Sequence, residues 1–301
     1  VAALKRLETA KNSVVFFNGR FVPDTEAQVS VHERGYLFGD AAFETLRGYG
    51  GHVFRLGRHL ERLAHSARVL GLKLPGSLEV LAGQVREAVA RSAQADCAIR
   101  VTLSRGEGGA GISTKGFEHP VFSITVKPLR AYPEEAYAKG IRTRVVGPRK
   151  VPAECLDPTI KSGGAYLPSI IARQELDRVG MVEGVQLAVA GHVVSGLVSN
   201  VFAVSGTRLL TPDVASGCLP GITREALLQL APSVGLEPTE TRLPLEALLQ
   251  ADELFFSNSL MECLPVQQLD EHSFPTAPGP FTRKLRAALH QLIHHEKQAS
   301  T

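Results

Sequence analysis

The chain has 301 residues, 44% of them hydrophobic, with 33 Lys+Arg against 30 Asp+Glu and a net charge of +3. That is enough apolar material for one large core or two ordinary ones, and the charge is too balanced and unclustered for a nucleic-acid-binding face. No apolar run approaches the roughly 20 residues that span a bilayer. Cys97, Cys155, Cys218 and Cys263 stand too far apart for a C-x-x-C metal site or a disulfide framework. They read as reduced thiols of a cytoplasmic protein. Residues 1–10 read as a tail before the first strand, not as a signal peptide.

In chain order, residues 14–22 read as a hairpin turning at Asn18-Gly19. Leu56, Leu60, Leu63, Ala67 and Leu70 recur at helical spacing, and Gly71 closes that helix. A second helix covers 78–91, and strands cover 98–103 and 121–126, joined by a segment that opens with a glycine-rich loop at 106–111. Pro128 and Pro133 cannot join a central strand or a helix interior, so 128–135 reads as a linker. It divides a small domain at 1–127 from a larger one at 136–301. Beyond it come a strand at 141–146, a helix at 165–179, a hairpin at 185–194 and a strand at 201–204. A helix at 222–230, a strand at 253–257 and a final helix at 282–294 follow. The mixture is α+β.

Two places carry chemistry on their own terms. Small residues follow Lys161 (Ser162, Gly163, Gly164, Ala165), so a flat ring can lie close to the backbone. An ordinary surface lysine ahead of a helix fits the same string. Burial or a neighbouring cation would depress the amine's pKa and make it a nucleophile and proton carrier. Gly221, Ile222 and Thr223 open a helix, whose free N–H groups and dipole form an anion site. Thr223 equally fits a plain N-cap.

Four strings keep a common order: Pro158-Thr159-Ile160-Lys161-Ser162-Gly163-Gly164-Ala165-Tyr166, Ser199-Asn200-Val201-Phe202, Leu219-Pro220-Gly221-Ile222-Thr223-Arg224 and Ala251-Asp252-Glu253-Leu254-Phe255. Together they resemble the class IV (fold type IV) enzymes that use pyridoxal 5'-phosphate (PLP). The resemblance implies a two-domain fold, with a small N-terminal α/β domain and a larger C-terminal domain carrying a barrel-like sheet. It also implies a homodimer, a small amino substrate, and Lys161 holding PLP as a Schiff base. Cofactor contacts would come from Arg62 in His59-Leu60-Glu61-Arg62-Leu63, from Tyr166 at the 3'-oxygen, and from Asn200. Gly221, Ile222, Thr223 and Ser259 would complete them around the phosphate. His32 and His59 receive no role.

At Ser195, five residues before Asn200, most relatives carry a glutamate that keeps the ring nitrogen protonated. Glu183 belongs to the preceding strand and does not fill that slot by alignment. A neutral hydroxyl makes a weaker electron sink, which disfavours proton transfer to C4' and leaves β-elimination open. Two further strings, Ser104-Arg105-Gly106-Glu107-Gly108-Gly109-Ala110-Gly111 and Asn258-Ser259-Leu260-Met261, resemble aminodeoxychorismate lyases. Many of those lyases carry a second arginine where Ala110 stands. On this reading the chain releases pyruvate and p-aminobenzoate, with Lys161 as general base. Arg105 would hold the substrate carboxylate, although a solvated loop arginine also fits. The alternative is a branched-chain or D-amino-acid aminotransferase, with Arg100 matching the arginine that holds a dicarboxylate there. A further alternative is a PLP-binding protein with little turnover.

Overall fold

The computed structural model describes residues 13–109, 111–274 and 276–299. The expected tail at 1–10 and Ala110 lie outside the described residues. The chain divides into two compact units. One runs to Arg130 and also takes in Ile160–Gly164; the other consists of Ala131–Thr159 and the chain from Ala165 onward.

The first unit contains β1 (Val14–Phe17), β2 (Arg20–Val22), α1 (Arg34–Phe38), β3 (Ala41–Tyr49), β4 (His52–Val53), α2 (Leu56–Leu70), α3 (Leu78–Ser92), β5 (Asp96–Ser104) and β6 (Val121–Pro128). The strands form an antiparallel sheet in the order β2-β1-β6-β5-β3-β4. Asn18 and Gly19 take positive φ at the first hairpin, as a tight two-residue turn demands. Gly71 ends α2 in the left-handed region, and the Ser77 side chain caps α3. The apolar faces of both helices cover Ala42, Leu46, Ile99, Val101 and Leu103 on one side of the sheet. Pro128 is the last residue of β6 and pairs with Cys97. It is tolerated there because β1 reaches only to Val126, so one edge of β6 needs no further N–H.

β3 was not legible as a strand, because Glu44 interrupts its apolar run. Its partner β5 lies on one side, and β4 covers only the far end of the other. Residues 160–164 fill the vacant edge. The N–H of Phe43 donates to the Lys161 carbonyl at 3.0 Å, and Ala42 bridges Ser162. The N–H of Gly164 donates to the Gly39 carbonyl at 3.1 Å. A side chain on Gly39 would meet the Gly164 backbone at 2.9 Å, so this docking needs glycine there.

The second unit contains α4 (Glu134–Lys139), β7 (Ile141–Thr143), α5 (Leu167–Asp177), β8 (Val185–Leu187), β9 (Val193–Gly196), β10 (Asn200–Ser205), β11 (Arg208–Pro212), α6 (Ile222–Leu230), β12 (Glu237–Thr241), α7 (Leu245–Leu249), β13 (Glu253–Asn258), β14 (Glu262–Leu269), β15 (His272–Ser273) and α8 (Pro280–Ala299). Its main sheet runs β12-β11-β10-β13-β14-β15, with β7 also on β14, and Phe202 stacks on Phe255 at 5.0 Å across β10 and β13. β8 and β9 form a separate ribbon. Single bridges, Val145 to Val185 and Val193 to Leu243, carry this ribbon across the gap between the ends of β7 and β12. The strand ladders themselves close no barrel among the described residues. β11, β12 and β14 were also missed in the sequence; β12, a polar and largely exposed edge strand, shows no alternation to detect.

Candidate active site

The Lys161 string folds as it does because its backbone completes the edge of β3. The N–H of Lys161 also donates to Ser66 Oγ on α2, at 3.0 Å. The side chain is partly buried, and its Nζ lies 4.8 Å from the centre of the Phe43 ring. Arg100 reaches the same ring from β5, with its guanidinium carbon 3.8 Å from the centre. Burial, the largest influence, and the positive charges of Arg62 and Arg100 bring the amine down to about 8, against the opposing pull of Glu44. At pH 7 about one amine in ten is then neutral, against about one in three thousand at the ordinary value.

Glu44 stands on the helix-covered face of β3 and is fully buried. A carboxylate there is expensive unless it is paired. Arg62 Nε donates to its Oε1 at 2.7 Å and Nη2 to its Oε2 at 2.8 Å. His59 Nδ1 lies 2.7 Å from Oε2. Burial pushes the carboxyl up, but the charge and hydrogen bonds of Arg62, with the hydrogen bond from His59, outweigh it and hold it at about 2. Burial likewise lowers His59, so its imidazole is neutral and donates from Nδ1. Glu44 and His59 were passed over in the sequence; the available signal was an acid within an apolar strand run, since a buried charge implies a partner.

Arg105 is neither a solvated loop arginine nor an open substrate anchor, and the roles expected for it are corrected here. It is 7% exposed. Nε and Nη2 donate to Asp40 at 2.7 and 3.1 Å, and Nη1 and Nη2 donate to the carbonyls of Gly71 and Leu70 at 3.0 and 2.6 Å. These bonds satisfy the C-terminal end of α2. The structure thus brings Lys161, Arg62 and Arg100 together and sets Arg105 aside.

In the second unit, Gly221 is the N-cap of α6 and carries no capping side chain. The first helical bond is from the Glu225 N–H to the Gly221 carbonyl, so the N–H groups of Ile222, Thr223 and Arg224 precede the ladder. Thr223 is inside the helix and does not serve as its cap. Asn200 Nδ2 donates to the Leu219 carbonyl at 2.9 Å, which fixes the turn into the helix. A Cβ at Gly221 would come within 2.1 Å of Asn200 Oδ1. Asn200 therefore shapes this cradle through its side chain. Ser257, the partner of Asn200 on β13, has a fully buried hydroxyl with no hydrogen-bond partner among the described residues. Ser259 lies partly buried in the turn after β13, where Asn258 Oδ1 accepts from the N–H groups of Leu260 and Met261.

Ser195 lies on β9, is 4% exposed, and donates from Oγ to the Gly196 carbonyl at 2.7 Å. Glu183 sits in the loop before β8, not in a strand as expected. Its buried carboxylate accepts from the N–H groups of Gly184 and Leu197 and from Ser199 Oγ, at 3.0, 2.7 and 2.8 Å, and so holds the turn after Ser195. Burial raises its pKa against those donors. Tyr166, at the start of α5, lines a small pocket with Glu183, Leu197 and Val198. Taken unit by unit, the first holds an amine of lowered pKa and the second a helix start rich in free donors with an orphaned buried hydroxyl nearby on the sheet, the kinds of group that PLP needs. Among the described residues no cluster could hold a metal ion, and no helix is long and apolar enough to cross a membrane.

Residues 41–269 match the model of the amino-transferase class IV family. A putative branched-chain-amino-acid aminotransferase of Methanocaldococcus jannaschii is 34% identical over 273 residues, covering 90% of this chain and 93% of that protein. An aminodeoxychorismate lyase of Bacillus subtilis is 31% identical over 294 residues, covering 94% and 97%. The crystal structure of the Escherichia coli branched-chain amino acid aminotransferase superposes with a TM-score of 0.90 at 31% identity, over 94% of this chain and 95% of that one. The matched span and these likenesses establish that this two-unit α+β chain belongs to the class IV aminotransferase family of PLP-dependent enzymes.

Proposed function

We propose that the chain transfers the amino group of a branched-chain amino acid to 2-oxoglutarate. This reverses the order of the two readings drawn from the sequence. One observation carries the change: Arg105, on which the lyase reading depended for a substrate carboxylate, is engaged by Asp40, Leu70 and Gly71, whereas Arg100 is exposed and shares the Phe43 ring with Lys161. Branched-chain aminotransferases among its relatives support the same reading.

When bound, PLP supplies an electron sink for negative charge at the substrate α-carbon. The Lys161 amine would hold the cofactor and serve as the acid–base group for the substrate α-proton, a task suited to a group that titrates near the working pH. Arg62 would pair with phosphate oxygens, and the first N–H groups of α6 would offer the second unit's anion site. Arg100 receives the distal carboxylate of the dicarboxylate acceptor. Tyr166, which lines the pocket with Glu183, would help to hold the cofactor's ring.

A second reading, the aminodeoxychorismate lyase, keeps one observation in its favour: the group at position 195 is a neutral hydroxyl donating to a carbonyl, with no carboxylate in its place. The deciding experiment gives PLP-loaded protein leucine, isoleucine or valine with 2-oxoglutarate and follows glutamate. Catalytic glutamate, absent in Lys161→Ala, supports the aminotransferase. No glutamate, but equal release of p-aminobenzoate and pyruvate from aminodeoxychorismate, makes it the lyase. Neither product, from protein that shows the absorption of bound cofactor, leaves a PLP-binding protein.

A further inference from the structure

Lys161 is surrounded by charge from several elements, Arg62 on α2, Glu44 on β3 and Arg100 on β5, with the titratable His59 of α2 beside them. Only Glu44 is negative. Its carboxylate engages Arg62 along the Nε–Nη2 edge, a two-point contact that fixes the plane of the guanidinium as well as its place. His59 supplies a further bond to Oε2, and because its buried ring is neutral it adds no positive charge to a site that already holds three cations.

We propose that Glu44, oriented by His59, is a positioning residue that holds Arg62 in one orientation within the charge cluster around Lys161. Burial in the core explains why the site needs a carboxylate and not water to do this. Ala42 and Leu46, which flank Glu44 on the same face of β3, are fully buried, so little solvent screens Glu44 from Arg62. Arg62 and Arg100 drive the amine towards its neutral form; Glu44 opposes them and keeps the amine poised between the two forms. The use of that poise in turnover rests on the aminotransferase reading, while the charge arrangement does not.

The test uses cofactor-free protein, so it reads out even if no aminotransferase activity is found. An amine-acylating reagent is applied across pH 5.5 to 10, and modification of the Lys161 peptide is followed by mass spectrometry. In Glu44→Gln, which keeps the shape and removes the charge, the labelling midpoint should fall by about 1 pH unit, giving about tenfold faster labelling at the acid end. In Arg62→Gln it should rise by a similar amount. Opposite shifts in two variants guard against one of them failing to fold, which circular dichroism and melting would reveal. The orientation role of His59 is read from PLP affinity: His59→Leu should weaken it by about tenfold, and His59→Asn, whose amide can replace the Nδ1 donor, should restore it. Midpoints unchanged from wild type in folded Glu44→Gln or Arg62→Gln would overturn the proposal, as would equal PLP affinity in His59→Leu and wild type.

Discussion

Asp40 and Glu44 lie close together at the start of β3, and each binds arginine, yet the two clusters do different work. Asp40 takes Arg34 Nε at 2.9 Å as well as Arg105. Arg34 lies between the rings of Phe38 and Phe117, 5.0 Å from each centre, and its Nη1 donates to the carbonyls of Gly111 and Ser113. This cluster ties α1, the glycine-rich loop and the end of α2 into one piece, and its bonds end on protein. The Glu44 cluster instead acts electrostatically on an amine with a lowered pKa. An arginine whose donors are taken up by the fold, as those of Arg105 are, is a poor candidate ligand, which the identity of the residue does not reveal.

The sharpest way to break this comparison is Lys161→Ala. Turnover should fall by at least ~1,000-fold, within the range of a lost general acid–base, while the urea midpoint holds. An active Lys161→Ala would remove the functional half of the contrast. Next, Glu44→Ala and Asp40→Ala should each lose about 3–5 kcal/mol in urea unfolding, because each strands buried arginine charge. A loss under about 1 kcal/mol in either would show that its carboxylate is not the keystone of its cluster.

Acid separates the contributions of the carboxylates. Glu44 is held at about 2 and Asp40 below its ordinary range, where burial is outweighed by Arg105 and Arg34. Their stabilisation is complete above the unfolded values near 4 and fades as pH falls through the folded ones, since the unfolded chain takes up protons first. For Glu44 this amounts to about 3 kcal/mol between pH 5 and 2. Urea titrations of Glu44→Gln should show a flatter acid limb than wild type; an identical limb would refute the assignment.

The smallest effect is the most discriminating. Arg100→Leu should raise the KM for 2-oxoglutarate by about tenfold, some 1.4 kcal/mol, with stability changed by less than about 0.5 kcal/mol. Arg105→Leu should do the reverse, destabilising the fold while leaving that KM within about twofold of wild type. If the two exchanged behaviours, Arg105 would be the anchor and the lyase reading would lead again.

Much of this site was legible because it is local. The small residues after Lys161, the glycine that opens α6 and the spacing of leucines in α2 are contiguous patterns set by backbone preference. The Glu44, His59 and Arg62 constellation was not, because β3 hid behind a charged residue. Glu183 was noticed and misplaced, since nothing in its own segment shows that it closes a turn beyond the next hairpin.

By itself the sequence determined where α2 and α6 begin and end, which lysine stands among small residues, and that the four motifs keep one family's order. Those follow from periodicity, capping and steric allowance, all of them short-range. Only the tertiary structure decided that Arg105 is engaged, that Glu44 is buried, and that residues 160–164 complete an edge of β3. Each depends on hydrogen-bond donors and acceptors shared between residues far apart in the chain, and folding alone brings such partners within reach of one another.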